Sequence, residues 1–295
     1  MDDNCILAHE ILFPTEGSVT LLTGFRVATE IYTTMNGIVS VDIAYGFSTL
    51  PWPDQRSLLR EATEAAKAIM ERLPPELQTG SPDDLSSAFD YDADLQYVPP
   101  GLPNGQVAHD VRHIIKTDPA RRRQLQYDIQ KANIVVSQLA TRSYFVETYF
   151  NLRDVHVSES QQPKPHADKD EEDERIYALM AEERELIVQD LLAILRTISQ
   201  RNIEPNGGSL VNKIRQVAST LLEDPIERKG AFAIKSEEAL EKVVDIMVKL
   251  EKAGPAGGEG ENMTAQDEDE ELQAWGELRD YQTQFAANGG FTGDI

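Results

Sequence analysis

Cysteine is nearly missing from this 295-residue chain, which has Cys5 and no other. A single thiol excludes a disulfide framework and any multi-cysteine metal site built from this chain alone, and it suits a reducing compartment. Long apolar runs are missing as well. None approaches the ~18 residues a membrane helix needs, so no membrane association is expected. Met1 is followed by Asp2-Asp3-Asn4 instead of a basic stretch, so no signal peptide is expected. Bases are scarce, with 28 Lys and Arg against 51 Asp and Glu for a formal net charge of -23. A polyanion repels phosphate backbones, so the chain is not expected to grip nucleic acid by itself. Also lacking are a GxxxxGK[ST] phosphate loop, a GxSxG nucleophile elbow and alternating strand patterns joined by hairpin turns.

What is present is helical periodicity. In residues 121–156, Leu125, Ile129, Ala132, Val136, Leu139, Ser143, Val146 and Phe150 recur at alternating steps of four and three. That spacing puts them on one helical face without an internal Pro or Gly. Ile134, Val135, Phe145, Tyr149 and Leu152 widen the surface, so this helix is expected at the centre of a bundle, with Ile129, Val136, Leu139, Val146 and Phe150 inaccessible. Ser18 or Thr20 would cap an earlier helix through Leu21, Leu22, Phe25, Ala28, Ile31, Tyr32 and Met35, with Gly24 a mild weakness. Val39–Tyr45 is partly β-branched and reads as loop or helix end. Asp54 would cap a helix with Leu58, Ala62, Ala65, Ile69 and Leu73 on one face. Later helices are expected through Ile176–Ile198, from Ser209 through Leu222, and from Ser236 through Leu250. The class is all-α, an irregular helical bundle with long disordered loops. Its parts are a helical region at 1–156 with a mobile loop at 76–108, an acidic linker at 157–174, helices at 175–252 and a disordered acidic tail at 253–295.

Several near-motifs fall short of a chemistry. His109 and His113 sit one helical turn apart, a zinc-compatible spacing, but Asp110 stands where a metalloprotease needs Glu. Asp168–Glu174 lacks the glycine at the sixth position of a calcium loop, where Asp173 stands. Gly254–Gly260 follows a helix pattern, which excludes a dinucleotide turn. Arg121-Arg122-Arg123 opens a helix against its macrodipole and reads as a solvated patch, with a nuclear-import or acidic-partner contact as the functional alternative. Cys5 reads as a small packed apolar side chain. No catalytic, cofactor or metal residue is assigned, and the chain is not expected to be an enzyme.

The wording of the central segment adds to its period. Gln126 through Ile134 (QYDIQKANI), then Gln138-Leu139 and Thr141-Arg142-Ser143-Tyr144, resembles the regulatory "middle homology" region of fungal binuclear-zinc-cluster (Zn2Cys6) transcription factors. The Met1–Tyr32 stretch is similar to a helix of that region, less specifically. The resemblance covers about the first half of the chain and is specific around 121–156. It implies a nuclear regulatory and activation portion of a factor controlling metabolic genes, with transcription machinery or co-regulators as partners. A homodimer is compatible with it. The family's six-cysteine motif is absent, so zinc belongs only to an N-terminal cluster this chain lacks, and DNA would be reached only through a separate module. The alternative function is a helical scaffold or adaptor without a transcriptional role.

The acidic tail carries the site prediction. Residues 253–295 hold 10 acids against Arg279, yet Leu272, Trp275, Leu278, Tyr281 and Phe285 stand near one helical face. Acids that hold aromatics in solvent, while a partner groove offers burial, make an amphipathic activation segment. The competing expectation is a terminal helix packed back on the bundle.

Overall fold

The computed structural model describes residues 19–78, 119–160, 171–198, 200–223, 225–253 and 265–287. Among these the chain is helical and contains no strand, so the fold is all-α. In chain order the helices are α1 (Leu21–Thr33), α2 (Asn36–Tyr45), α3 (Trp52–Glu71), α4 (Pro119–Ser160), α5 (Glu171–Thr197), α6 (Gln200–Ile203), α7 (Gly208–Glu223), α8 (Ala231–Lys235), α9 (Glu237–Ala253) and α10 (Ala265–Ala287).

The 42-residue α4 is the axis of the bundle, with α1, α3, α5, α6 and α7 packed around it. Val136, Leu139, Val146 and Phe150 are buried as their spacing requires. Ile129 is only half-buried. Its expected place in the core is taken by Tyr127 and Ile134, which pack with Ile31, Ile69, Leu73 and Leu77 in a smaller cluster under α1 and α3. The buried face turns because the helices that cover α4 change along its length, and a four-three stripe of period ~3.5 drifts around a helix of about 3.6 residues per turn. Ile134→Asp should therefore cost on the order of 4 kcal/mol by leaving a charge unpaired in the core, and Ile129→Asp less than half of that. Urea unfolding midpoints at unchanged slope test the ranking, and equal losses would contradict it.

Local departures from the sequence reading have physical causes. Thr20 caps α1, its amide donating to Thr23 Oγ1 at 3.0 Å. At Gly24, where α1 lies against α4, a Cβ would come 2.2 Å from Gln130 Oε1, so a larger residue would displace the Gln130 side chain that donates to the Leu21 carbonyl. Val39–Tyr45 is helix, not loop. The Asp42 carboxylate accepts the Phe47 amide at 2.9 Å, and Gly46 leaves the helix at φ 79, a conformation that favours glycine. In α3 the inward face is Trp52, Gln55, Arg56, Leu59, Ala62, Thr63, Ala66 and Ile69, while Leu58 is half-buried and Ala65 exposed. The face was misjudged because three of its members are polar and become buried only by finding partners.

The acidic linker is shorter than expected at both ends. Residues 157–160 continue α4, and Glu171, Glu172, Asp173 and Glu174 form the first turn of α5, where carboxylates suit the positive end of the helix dipole. In the expected loop at 76–108, Pro75–Leu77 forms a 3-10 turn with Leu77 fully buried, and residues 79–108 lie outside the described residues. The expectation of a disordered tail is overturned for residues 265–287. They form α10, packed on α9 and α5. One core cluster runs from Ile38 of α2 to Leu278 of α10.

Candidate functional site

The predicted partner-binding residues lie on α10, and the fold buries Trp275 and Leu278 among them. Ala274, Trp275 and Leu278 are buried, Leu278 completely. Positions 274, 275, 278, 281 and 282 fall on one side of a helix, with Arg279 and Asp280 exposed beyond it. Tyr281 is half-buried, and its hydroxyl donates to the Ala239 carbonyl of α9 at 3.3 Å. Burial raises its pKa above the ordinary tyrosine value, with Glu238 adding to the effect. Gln282 reaches the end of α5, donating to the carbonyls of Leu195 and Ile198 at 2.8 Å each. Those oxygens belong to the last turn of a helix, where intrahelical donors run out, so the tail caps an internal element. The Leu272 and Phe285 side chains lie outside the described residues.

One ion pair crosses the rim of this contact, Lys249 to Glu277 at 2.7 Å. The Lys249 hydrogen bond holds the Glu277 carboxyl below its ordinary value. A depressed carboxylate supports the folded state above its unfolded pKa, and that support is lost as pH falls through the lowered value. Docking is therefore expected to loosen, modestly, on acidification. The driving force is burial: a Trp and a Leu removed from water outweigh a solvent-screened pair.

A second constellation, which sequence reasoning missed, is a seam of buried charge where α3, α4 and α5 meet. Arg142 of α4 and Glu183 of α5 are 5% and 3% exposed, a degree of burial that charged side chains sustain only when paired. Arg142 Nε donates to Glu183 Oε1 at 2.5 Å, and its Nη1 reaches Asp190 Oδ2 at 2.6 Å. Lys67 of α3 supplies the second Glu183 oxygen at 2.6 Å. One turn along, Arg184 pairs with Glu147 at 2.6 Å and lies over the Phe150 ring at 4.5 Å. Burial raises the Glu147 pKa, with Arg184 pulling against it. A raised carboxylate favours folding less as pH climbs through the interval from its unfolded to its folded value. At the far end Asp173 accepts from Trp52 Nε1 at 2.7 Å and from Arg56 at 3.0 Å, and Trp52 stacks on His156 at 5.4 Å.

These charges point at one another, which positions the three helices. Part of the resemblance motif is absorbed here. Arg142 is the seam's central cation, and Thr141 and Ser143 flanking it are buried. Gln130 donates to the Leu21 carbonyl at 2.6 Å. The available signal was an arginine and two hydroxyl residues on the inward side of an otherwise apolar helix. Among the described residues no group of three or more His, Cys, Asp or Glu is placed to hold a metal ion. Cys5, His109, His113, Asp168 and Asp170 lie outside the described residues, and so does the Arg121 side chain. Compared with known proteins, the chain matches no family model, no curated protein and no solved structure.

Proposed function

We propose that this chain is the regulatory and C-terminal portion of a nuclear transcription regulator of the fungal zinc-cluster kind, reaching DNA through a separate module. The wording of α4 from Gln126 to Tyr144 supports that reading. The observation that carries the mechanism is the stowing of α10. An acidic helix whose aromatic anchor is Trp275 is held against the body by that anchor, by Leu278 and by Gln282. An activation segment recruits transcription machinery by burying such anchors in a partner groove. Here the body already occupies them, so the docked form is the restrained one and release is the activating step.

The test is a yeast reporter strain with a heterologous DNA-binding module fused to the whole chain, to residues 253–295, and to the whole chain carrying Gln282→Ala. The intact fusion should be weakly active, the isolated tail strong. Gln282→Ala loosens the dock while sparing the anchors, so it should fall between them. Trp275→Ala within the isolated tail should remove most of its activity. Silence of every fusion would remove the transcriptional reading. It would favour the second one, a helical scaffold in which α10 is ordinary core, for which the complete burial of Leu278 speaks.

A further inference from the structure

Of the ten residues of α2, six are Ile38, Val39, Val41, Ile43, Ala44 and Tyr45, yet only Ile38 is buried. Ile43 is 82% exposed and Tyr45 77%, the two most exposed large apolar side chains among the described residues. Val39 and Ile43 are one helical turn apart and so share a face. A short helix that is apolar around most of its circumference is a helix meant to be covered on more than one side.

Charge distinguishes this face from the rest of the molecule. From Ile31 to Pro53 the sequence carries one charged residue, Asp42, in a chain where 27% of residues are charged. The Asp42 carboxylate is engaged by the Phe47 amide at the end of the helix. A partner selected for its basic surface would be met by carboxylates, which abound elsewhere and number one between Ile31 and Pro53. A second copy of this chain has the opposite requirement. Two molecules of net charge -23 repel wherever their acidic surfaces meet, and they approach at lower cost through a segment that carries a single charge.

We propose that α2 is a homodimer contact, an isologous pairing in which the Val39–Ile43 face of one protomer covers the same face of its partner, with Tyr45 at the margin. In a two-fold arrangement the same residues meet across the axis, so Val39 and Ile43 of one protomer would cover the same pair of its partner. A single ten-residue helix offers a contact at the small end of specific interfaces, so the dimer should be reversible. The proposal stands apart from the transcriptional reading and does not require it.

Sedimentation velocity of the full chain over about 1–100 µM tests it, with a dissociation constant expected on the order of 10 µM. Ile43→Glu sets two like charges at the axis and should weaken association at least ~10-fold. Ile43 is largely exposed, so that variant should keep its helicity and urea midpoint. In a Cys5→Ser background, Ile43→Cys should form a disulfide-linked dimer under mild oxidation. A dimer indifferent to Ile43→Glu would overturn the proposal. So would a chain monomeric throughout. In the monomeric case, α2 amide exchange that quickens on removal of residues 1–18 would give the face to that segment, and unchanged exchange would leave it to a foreign protein.

Discussion

Removing the Glu183 carboxylate is expected to be among the most destabilising single changes available to this chain. Glu183→Ala leaves the Arg142 guanidinium buried with its nearest partner gone. Such a loss typically costs about 3–5 kcal/mol, because a buried charge is left short of partners and away from water. Lys67, 43% exposed at its side chain, swings back into solvent at little cost. Arg142, 6% exposed at its side chain, has no such exit and keeps Asp190, at the seam's half-exposed edge, and the Gln138 side-chain oxygen at 3.3 Å. The double replacement Arg142→Met with Glu183→Leu should recover most of the loss, since apolar side chains of similar volume need no pairing. Urea unfolding of the two single variants and the double one closes the cycle. A Glu183→Ala loss below about 1 kcal/mol would mean that water reaches the seam, and the pair would then be an ordinary surface one.

The second large effect is expected at Trp275. Truncating a buried Trp to Ala costs about 3–5 kcal/mol where the site cannot collapse. For a terminal helix the response is local: α10 leaves while the bundle stays folded. Amide exchange of Trp275→Ala should show lost protection across 265–287. It should also quicken at the last turn of α5, whose Leu195 and Ile198 carbonyls lose their donor. A global fall in protection would instead mark α10 as part of one cooperative unit with α4 and α5. Full retention would mean that Leu278 and Gln282 hold the helix unaided.

How legible these features were in the sequence depended on what made each residue buried. Val136, Leu139, Val146 and Phe150 could be placed because apolar periodicity on a long uninterrupted helix is itself the cause of their burial. Ile129 could not, since which side of α4 is covered at each level depends on neighbours distant in sequence. Arg142, Glu183 and Arg184 were invisible for the opposite reason. Alone they belong in water, and only the conjunction of three helices makes their burial tolerable. The tail shows a similar limit. Its charge density argued for solvation, but Ala274, Trp275 and Leu278 on one side were enough for docking once α9 and α5 supplied a surface. Gln282, the residue that joins the tail to the end of α5, has no apolar signature at all. The close approach of Gln130 to Gly24 was equally hidden, because it depends on which helix α1 meets.

The Gln282 cap also sets an order of assembly on the ribosome. Its two carbonyl acceptors lie 87 and 84 residues earlier in the chain. At typical elongation speeds that separation is ~4–17 s of synthesis, far longer than a helix takes to form. Throughout that interval α5 has its hydrophobic face finished and its final turn open. The side of α5 that α10 will cover stays accessible to chaperones for the same period. The emerging chain therefore passes through an intermediate in which α10 has not docked, and any nascent-chain factor acting on the side of α5 that α10 covers has to act before that docking.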